Sequence, residues 1–546
     1  MSRDEDTPLP VSTASSAGSP AEHSGAPVVR PGLDRRALLA GLAAAPVVLS
    51  GAQAQSQSFT ATAIQSALGE GQRFTPTTLQ DLARLLAKKP YVAPPSELPE
   101  PFSNLNYEQY IGIRATPSAV LWANEGRGFT IEPLHRGYAF MSAVSLYAVE
   151  DGLVRRVSYD RSKFDYGKMQ PAANVPDLGF SGFRVFGDGQ SGRQREVAIF
   201  QGATFFRSSA RGQNLGVMAR GLTLKAGDPK GEEFPQFRAY WIEQPSAKSD
   251  SLIIHALLDS ESVCGAYRFT LRTGDVSIID TEVMLFPRAA VENYGIGGMT
   301  STFFFGPNDR RNVDDVRPAV FESSGLQIHN GNDEWIWRTV SNPETLQISS
   351  FVDNGNPHGF GLLQRERDYN AFLDDDQNFE RRPSLWIEPI GEWAPGMVQL
   401  FEIPSDSEIN DNVLAYWRPK QPLVAGGEAS FAYRQFWCWQ MPDRPALAMV
   451  TGTRVGRGRT NTQRRFVVDF SGDMLKSSQT MAELKPALSA SPGTLSNIRM
   501  WPYPERKLVR IGFDLEPGSD NLSELRLVLE AGGKPVSETW LYRWTP

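Results

Sequence analysis

From residue 143 onward, apolar and polar positions alternate with a period of two over most of the chain. AVSLYAV (143–149), LVRRVSY (153–159), SLIIHALL (251–258), YRFTLRT (267–273) and DVSIIDTEVML (275–285) read as strands that lay one face on a core. Turn clusters at GDGQSG (187–192), NGND (330–333) and DNGNP (353–357) separate such runs. The period changes in FTPTTLQDLARLLAKK (74–89), where Leu79, Leu82, Leu85 and Leu86 fall at helical spacing behind a capping Thr75 and a first-turn Pro76. Residues 90–101 form a proline-rich, extended connector. The pattern predicts an all-β protein built on a large two-sheet sandwich, 55–417. It pauses at Arg418-Pro419-Lys420-Gln421-Pro422, so 418–424 reads as a linker. VAGGEASFAYRQFWCW (424–439), RFVVDF (465–470), LVRIGFDL (508–515) and ELRLVLEA (524–531) then belong to a second domain, 425–546. Roughly seven strands there suit an immunoglobulin-like sandwich.

The first 54 residues follow neither pattern. Residues 1–34 are rich in Ser, Pro, Ala and Gly and read as disordered. Arg35-Arg36, an apolar run from Ala37 to Leu49 and Ala52-Gln53-Ala54 have the layout of a cleaved export signal, so the mature chain is expected to begin at Gln55. The paired arginines predict the twin-arginine route. The apolar run is too short to span a bilayer, and no other stretch is long enough, so no stable membrane insertion is expected after cleavage.

Composition narrows the function classes. Of 546 residues 40% are hydrophobic and 21% charged, with a net charge of -7 and no basic stripe, which argues against nucleic acid as a partner. Two cysteines, Cys264 and Cys438, and five histidines without metal-ligand spacing argue against zinc. Asp374-Asp375-Asp376 lacks EF-hand spacing. No metal or cofactor is expected.

Chemistry-bearing residues concentrate between Gly359 and Trp417. Arg365, Glu366, Arg367, Asp368, Asp374, Asp375, Asp376, Glu408 and Asp411 are interleaved with Phe372, Trp386, Trp393 and Trp417. Carboxylates among aromatic rings suit a carbohydrate site, where rings stack on sugar faces and a carboxyl pair runs glycosidic chemistry. The competing reading is a solvated acidic loop beside tryptophans of a β-core.

GFGLLQR (359–365), RRPSLW (381–386) and the E-x-x-D-N segment Glu408–Asn412 resemble the osmoregulated periplasmic glucan biosynthesis G/D family. The likeness continues through DLGFSGFRVF (177–186), EEFPQFRAYW (232–241), ALLDS (256–260), GAYRF (265–269), GMTSTFF (298–304), NGNDEW (330–335) and SETWLYRW (537–544). The resemblance implies a large galactose-mutarotase-like sandwich followed by a small immunoglobulin-like domain. It would put the two cysteines in different domains, so no disulfide is expected. It implies a periplasmic protein acting on the β-1,2-glucan backbone as an inverting hydrolase or transglycosylase, with the glucan synthase machinery as a further partner. The alternative is a non-catalytic glucan-binding protein. By resemblance Asp411 matches the general acid. The family's base is an Asp shortly after a His/Arg-Pro step. Here that step is Arg317-Pro318, and the matching position holds Glu322, a methylene longer. Glu408, Asp374, Arg367, Asp368, Tyr369 and Trp386 are the candidate substrate-binding residues. The paired arginines lean towards the D type.

Overall fold

The computed structural model describes residues 51–546, apart from 188–193, 248, 312 and 519–521, with side chains from Phe59 onward. The export signal therefore lies almost entirely outside the described residues, as does the turn at 187–192.

The helical segment forms as expected. Pro76–Ala87 is an α-helix whose Thr75 cap accepts the Thr78 N–H at 3.0 Å. Leu79, Leu82, Ala83 and Leu86 are buried against Trp241, Leu257, Cys264, Ala266 and Phe286 on the outer face of a sheet. A second helix, Gly51–Leu68, has no sequence counterpart above, because its own apolar periodicity is weak. Its last turn is fixed by tertiary contacts: Ile64 and Leu68 are buried, and the Trp241 indole donates to the Leu68 carbonyl at 2.8 Å.

Two large sheets pack face to face, giving the predicted all-β sandwich. One runs from Phe129–Leu134 through Gly182–Gly187 and Arg195–Gln201 to Tyr294–Ser301, Val413–Pro419, Gly396–Glu402 and Gln347–Asp353. The other contains Gln236–Glu243, Ser251–Asp259, Val263–Arg272 and Val276–Pro287 as an antiparallel meander. Ile131, Val185, Phe200 and Phe206 from the first meet Tyr240, Ile254, Phe269 and Leu285 from the second in one dry core.

Ala429–Cys438 departs from the sequence reading, which placed it in the second domain. It lies inside the large sheet, between Val276–Pro287 and Ser384–Pro389. Tyr433 and Trp437 enter the sandwich core while Phe436 and Cys438 enter a second one, so the end of the strand is buried on both faces and the alternation disappears there. Cys264 and Cys438 thus share one sheet rather than sitting in separate domains. Both are free and buried, and burial pushes the Cys438 thiol up to about 12.

The second core collects Phe466, Phe470, Ile511, Phe513, Leu527 and Trp540 between a four-stranded sheet and the last strands of the chain. Those last strands extend the large sheet, because Thr539–Trp544 pairs in parallel with Trp335–Thr339. Arg365 reinforces the junction. Its guanidinium lies 3.5 Å from the Trp337 ring centre and donates to the buried Glu538 carboxylate at 2.6 Å.

The GFG of residues 359–361 is explained by the strand beside it. A Cβ on Gly361 would stand 2.3 Å from the Leu385 carbonyl oxygen, which belongs to paired backbone and cannot move aside. Gly361→Ala is expected to cost roughly 1–3 kcal/mol or more of stability, read as a lower denaturation midpoint with unchanged slope; an unaltered midpoint would contradict this packing.

Candidate active site

Strand register brings the two candidate catalytic residues beside one threonine. Ser301 pairs with Val413, so Thr302 meets the segment just before Val413. Phe303 pairs with Phe321, so Thr302 also meets Glu322. The Thr302 carbonyl accepts the Glu322 N–H at 2.8 Å. Its hydroxyl donates to the Asn410 carbonyl at 3.0 Å and lies 3.4 Å from Asp411 Oδ1. Asp411 and Glu322, 89 positions apart in the sequence, therefore flank one buried threonine, and both are half-buried. Arg382 Nη1 stands 3.6 Å from Glu322 Oε1.

The loop between Gly359–Leu363 and Ser384–Pro389 is anchored beside these groups by aromatic packing. Phe303 stacks on Phe321 at 5.4 Å, Phe321 meets Phe372 at 4.9 Å, and Phe372 meets Phe379 at 5.9 Å. With Phe372 fully buried, the loop presents Asp374 to Arg317. That guanidinium joins three carboxylates: Asp315 at 2.8 Å, Asp374 at 2.7 Å and Glu408 at 2.5 Å. Hydrogen bonds to Asp315, then Glu408 and Asp374, hold the Arg317 proton more tightly than usual. Burial of Asp374 opposes ionisation, but the Gln377 and Asp376 N–H groups and Arg317 outweigh it, so its carboxyl sits below its ordinary value. Asp315 is likewise lowered, chiefly by Arg317.

The other candidate residues take different places. Arg367 is turned inward, donating to the carbonyls of Glu380, Arg382 and Trp439; burial pulls it down to about 10. It holds the loop and has no free fork for a sugar. Trp386 is buried, stacked on Trp335 at 5.9 Å with its indole N–H on Glu388 at 3.0 Å, so it is core rather than a sugar platform. Trp393, Trp417 and Phe372 are buried as well: for these rings the β-core reading holds. Asp368 is exposed and caps the short turn Tyr369–Ala371. Tyr369 is exposed beside it, donating to Asp375 at 2.9 Å, and is the candidate ring open to a ligand. Thr302, Arg317 and Arg382 are the contributors that sequence reading missed as site residues. The Arg-Pro step was the one available signal for Arg317.

Away from this cluster, His329, Asp333 and His358 place one ligand atom each within 4.8 Å of one another, a set a metal could use despite their unpromising sequence spacing. His329 Nε2 is already 2.7 Å from Asp333 and its ring stacks on Trp335 at 4.0 Å. A cavity of about 360 Å³ lined by residues including Pro76, His255, Glu282 and Trp393 contains none of the candidate catalytic or substrate-binding residues. Among the described residues no helix is long and apolar enough to cross a membrane.

Residues 74–544 match the family described as "Periplasmic glucan biosynthesis protein, MdoG". The chain belongs to this family. It is 44% identical over 518 residues to the glucans biosynthesis protein G of Bradyrhizobium diazoefficiens, covering 94% of this chain and 100% of that protein. It is 42% identical to the proteins of the same name from Vibrio cholerae, over 86% of this chain and 87% of the relative, and from a Shewanella species, over 87% and 88%. As a member of a periplasmic glucan biosynthesis family, the protein has a role in making periplasmic glucans. The relatives named here are of the G type, so the lean towards the D type gains no support from them.

The Arg317 cluster yields a pH-dependent expectation. Asp374 and Asp315 are held below their ordinary value of 3.8. The stability they contribute is therefore complete above that value and is lost as pH falls through their lowered folded values. Arg317→Ala should cost about 3 kcal/mol at neutral pH by stranding the buried Asp374, and should shrink the acid-side loss. Denaturation of both proteins from pH 6 down to about 3 checks this; parallel pH profiles would contradict it.

Proposed function

We propose that the protein cuts or rearranges the β-1,2-linked backbone of periplasmic glucans as an inverting glycoside hydrolase or transglycosylase, with Asp411 as general acid and Glu322 as base. The observation that carries this reading is that both residues meet Thr302, Asp411 through its carboxylate and Glu322 through its backbone N–H. Among the described residues Asp411 has no cation at salt-bridge distance, whereas Glu322 faces Arg382. A carboxylate beside a guanidinium is held ionised, as a base requires. Inverting chemistry leaves room for water between the two groups, and the extra methylene of Glu322 alters that spacing. Glu408 and Asp374, held by Arg317, and the exposed Tyr369 would contact sugar hydroxyls and faces. Arg367 and Trp386 are not part of this proposal.

The deciding experiment is product analysis with linear β-1,2-glucan. Short reducing oligosaccharides are expected from the protein beginning at Gln55. Asp411→Asn should lower the rate by about 10²–10⁴-fold without loss of folding, and Glu322→Gln should do likewise. Cyclic or rearranged products without new reducing ends would select transglycosylation. Glucan bound but unchanged by every form would sink the enzyme reading in favour of a binding protein that guides the growing chain.

Export through the twin-arginine pathway is part of the same proposal. It is supported by Arg35-Arg36 and by two cysteines left free and buried, which suits folding in a reducing compartment. Replacing both arginines by lysine should retain the folded precursor in the cytoplasm; undiminished periplasmic protein on fractionation would refute this route.

A further inference from the structure

This acidic chain concentrates positive charge around one cavity. Residues 308–311 of the large sandwich, the end of strand Met449–Arg457, the start of Arg464–Ser471 and the end of Thr539–Trp544 enclose about 240 Å³. Arg310, Arg311, Arg457, Arg464 and Arg543 line it, against a single carboxylate, Asp309. Two of the five are balanced: Arg311 pairs with Asp309 at 3.0 Å, and Arg543 with Glu524 at 2.5 Å. The other three have no carboxylate at salt-bridge distance among the described residues, although the Arg310 charge also reaches the Asp315 carboxylate. Arg310 donates to the carbonyls of Asp315, Arg317 and Pro318. Arg464 donates to the carbonyls of Asn461 and Gln463 and lies 5.6 Å from the Trp544 ring centre. Arg457 is exposed.

Like charges gathered in a concave, partly protein-walled space repel one another and raise the local potential for anions. Carbonyl oxygens orient Arg310 and Arg464 but do not neutralise them. Guanidinium groups with unused N–H donors offer forked, two-bond recognition of a tetrahedral oxyanion. The volume lies below the range usual for drug-sized ligands and limits the occupant to about a monosaccharide phosphate or less.

We propose that this cavity is a binding site for a phosphate-class oxyanion, either free or carried on a sugar. It is separate from the candidate carboxylates yet abuts the turns that present them. Arg310 is bonded to the 315–318 turn that includes Arg317. Asp309 accepts the Asn342 N–H at 3.0 Å, and the Asn342 amide holds Ser405, ahead of Asp411, through bonds of 2.7 and 2.9 Å. The site does not depend on the glycosidase reading, and its test does not use glucan.

Calorimetric titration of the protein beginning at Gln55 with inorganic phosphate, glucose 6-phosphate and uncharged glucose tests it. Both anions should bind and glucose should not, and affinity should fall steeply as salt is raised. Arg457→Gln, at an exposed position, should weaken binding several-fold. Arg457→Gln with Arg464→Gln should weaken it about ten-fold or more, with thermal unfolding confirming that both variants are folded. Tighter binding of glucose 6-phosphate than of phosphate identifies a sugar-borne anion; equal binding identifies a free one. No binding of either anion, binding unaffected by the double substitution, or equal binding of glucose and glucose 6-phosphate would overturn the proposal.

Discussion

The position of the candidate site depends on one buried amide. Asn412 accepts the Phe303 N–H at 2.8 Å and donates to the carbonyls of Phe303 and Ile403 at 2.9 and 3.1 Å. Its side chain is almost wholly out of water. Moving it would strand desolvated polar groups, at about 1–3 kcal/mol for each. Strand Val413–Pro419 is thereby locked to the segment that follows Tyr294–Ser301. Asp411, one residue earlier, and Thr302, one residue before Phe303, inherit fixed positions from that lock. A side chain that only shapes the backbone thus decides where a candidate acid stands.

The segments that mark the family divide into two groups by what they hold. Arg365 of GFGLLQR and Glu538 of SETWLYRW meet in a buried pair that joins the last strands to the large sheet. Arg338 and Glu402, outside those segments, form another, at 2.8 Å and with both side chains nearly inaccessible. These pairs fix architecture, since a buried charge left without its partner is strongly destabilising. The E-x-x-D-N segment, the Arg-Pro step and the loop carrying Asp374 form the second group, which gathers around Arg317 and Thr302. Family membership draws on both groups, whereas a claim about catalysis draws only on the second.

Much of the fold was legible because its strands alternate between wet and dry positions over part of their length, as Arg268, Thr270 and Arg272 do against the buried Tyr267, Phe269 and Leu271. Ser251–Asp259 and Val263–Arg272 fall where alternation placed them, and Thr75 caps its helix as its neighbours suggested. Legibility ended where that contrast vanished. The end of Ala429–Cys438 has a core on each side, so its run QFWC carries no directional signal. The site was less legible for a different reason. Arg317 finds Asp374 and Glu408 at separations of 57 and 91 residues, and Thr302 finds Asp411 across 109. Composition announces that charges and rings are plentiful but not which way they turn. Arg367 and Trp386 therefore resembled sugar ligands while serving as internal supports.

The parallel pairing of Thr539–Trp544 with Trp335–Thr339 also bears on the order of assembly. The strand that continues the large sheet leaves the ribosome about 200 residues after the edge it covers. Until it arrives, Trp335–Thr339 keeps a row of unpaired backbone groups on that side, the kind of edge that recruits strands from other chains. Glu538, which neutralises Arg365, arrives in the same stretch. Synthesis therefore passes through a long interval in which the sheet is open and a cation is unmatched, and both are resolved together when residues 538–544 emerge. A chain cut short before that point would be marked by a sticky edge, which gives chaperones and proteases a physical means of telling unfinished copies from finished ones.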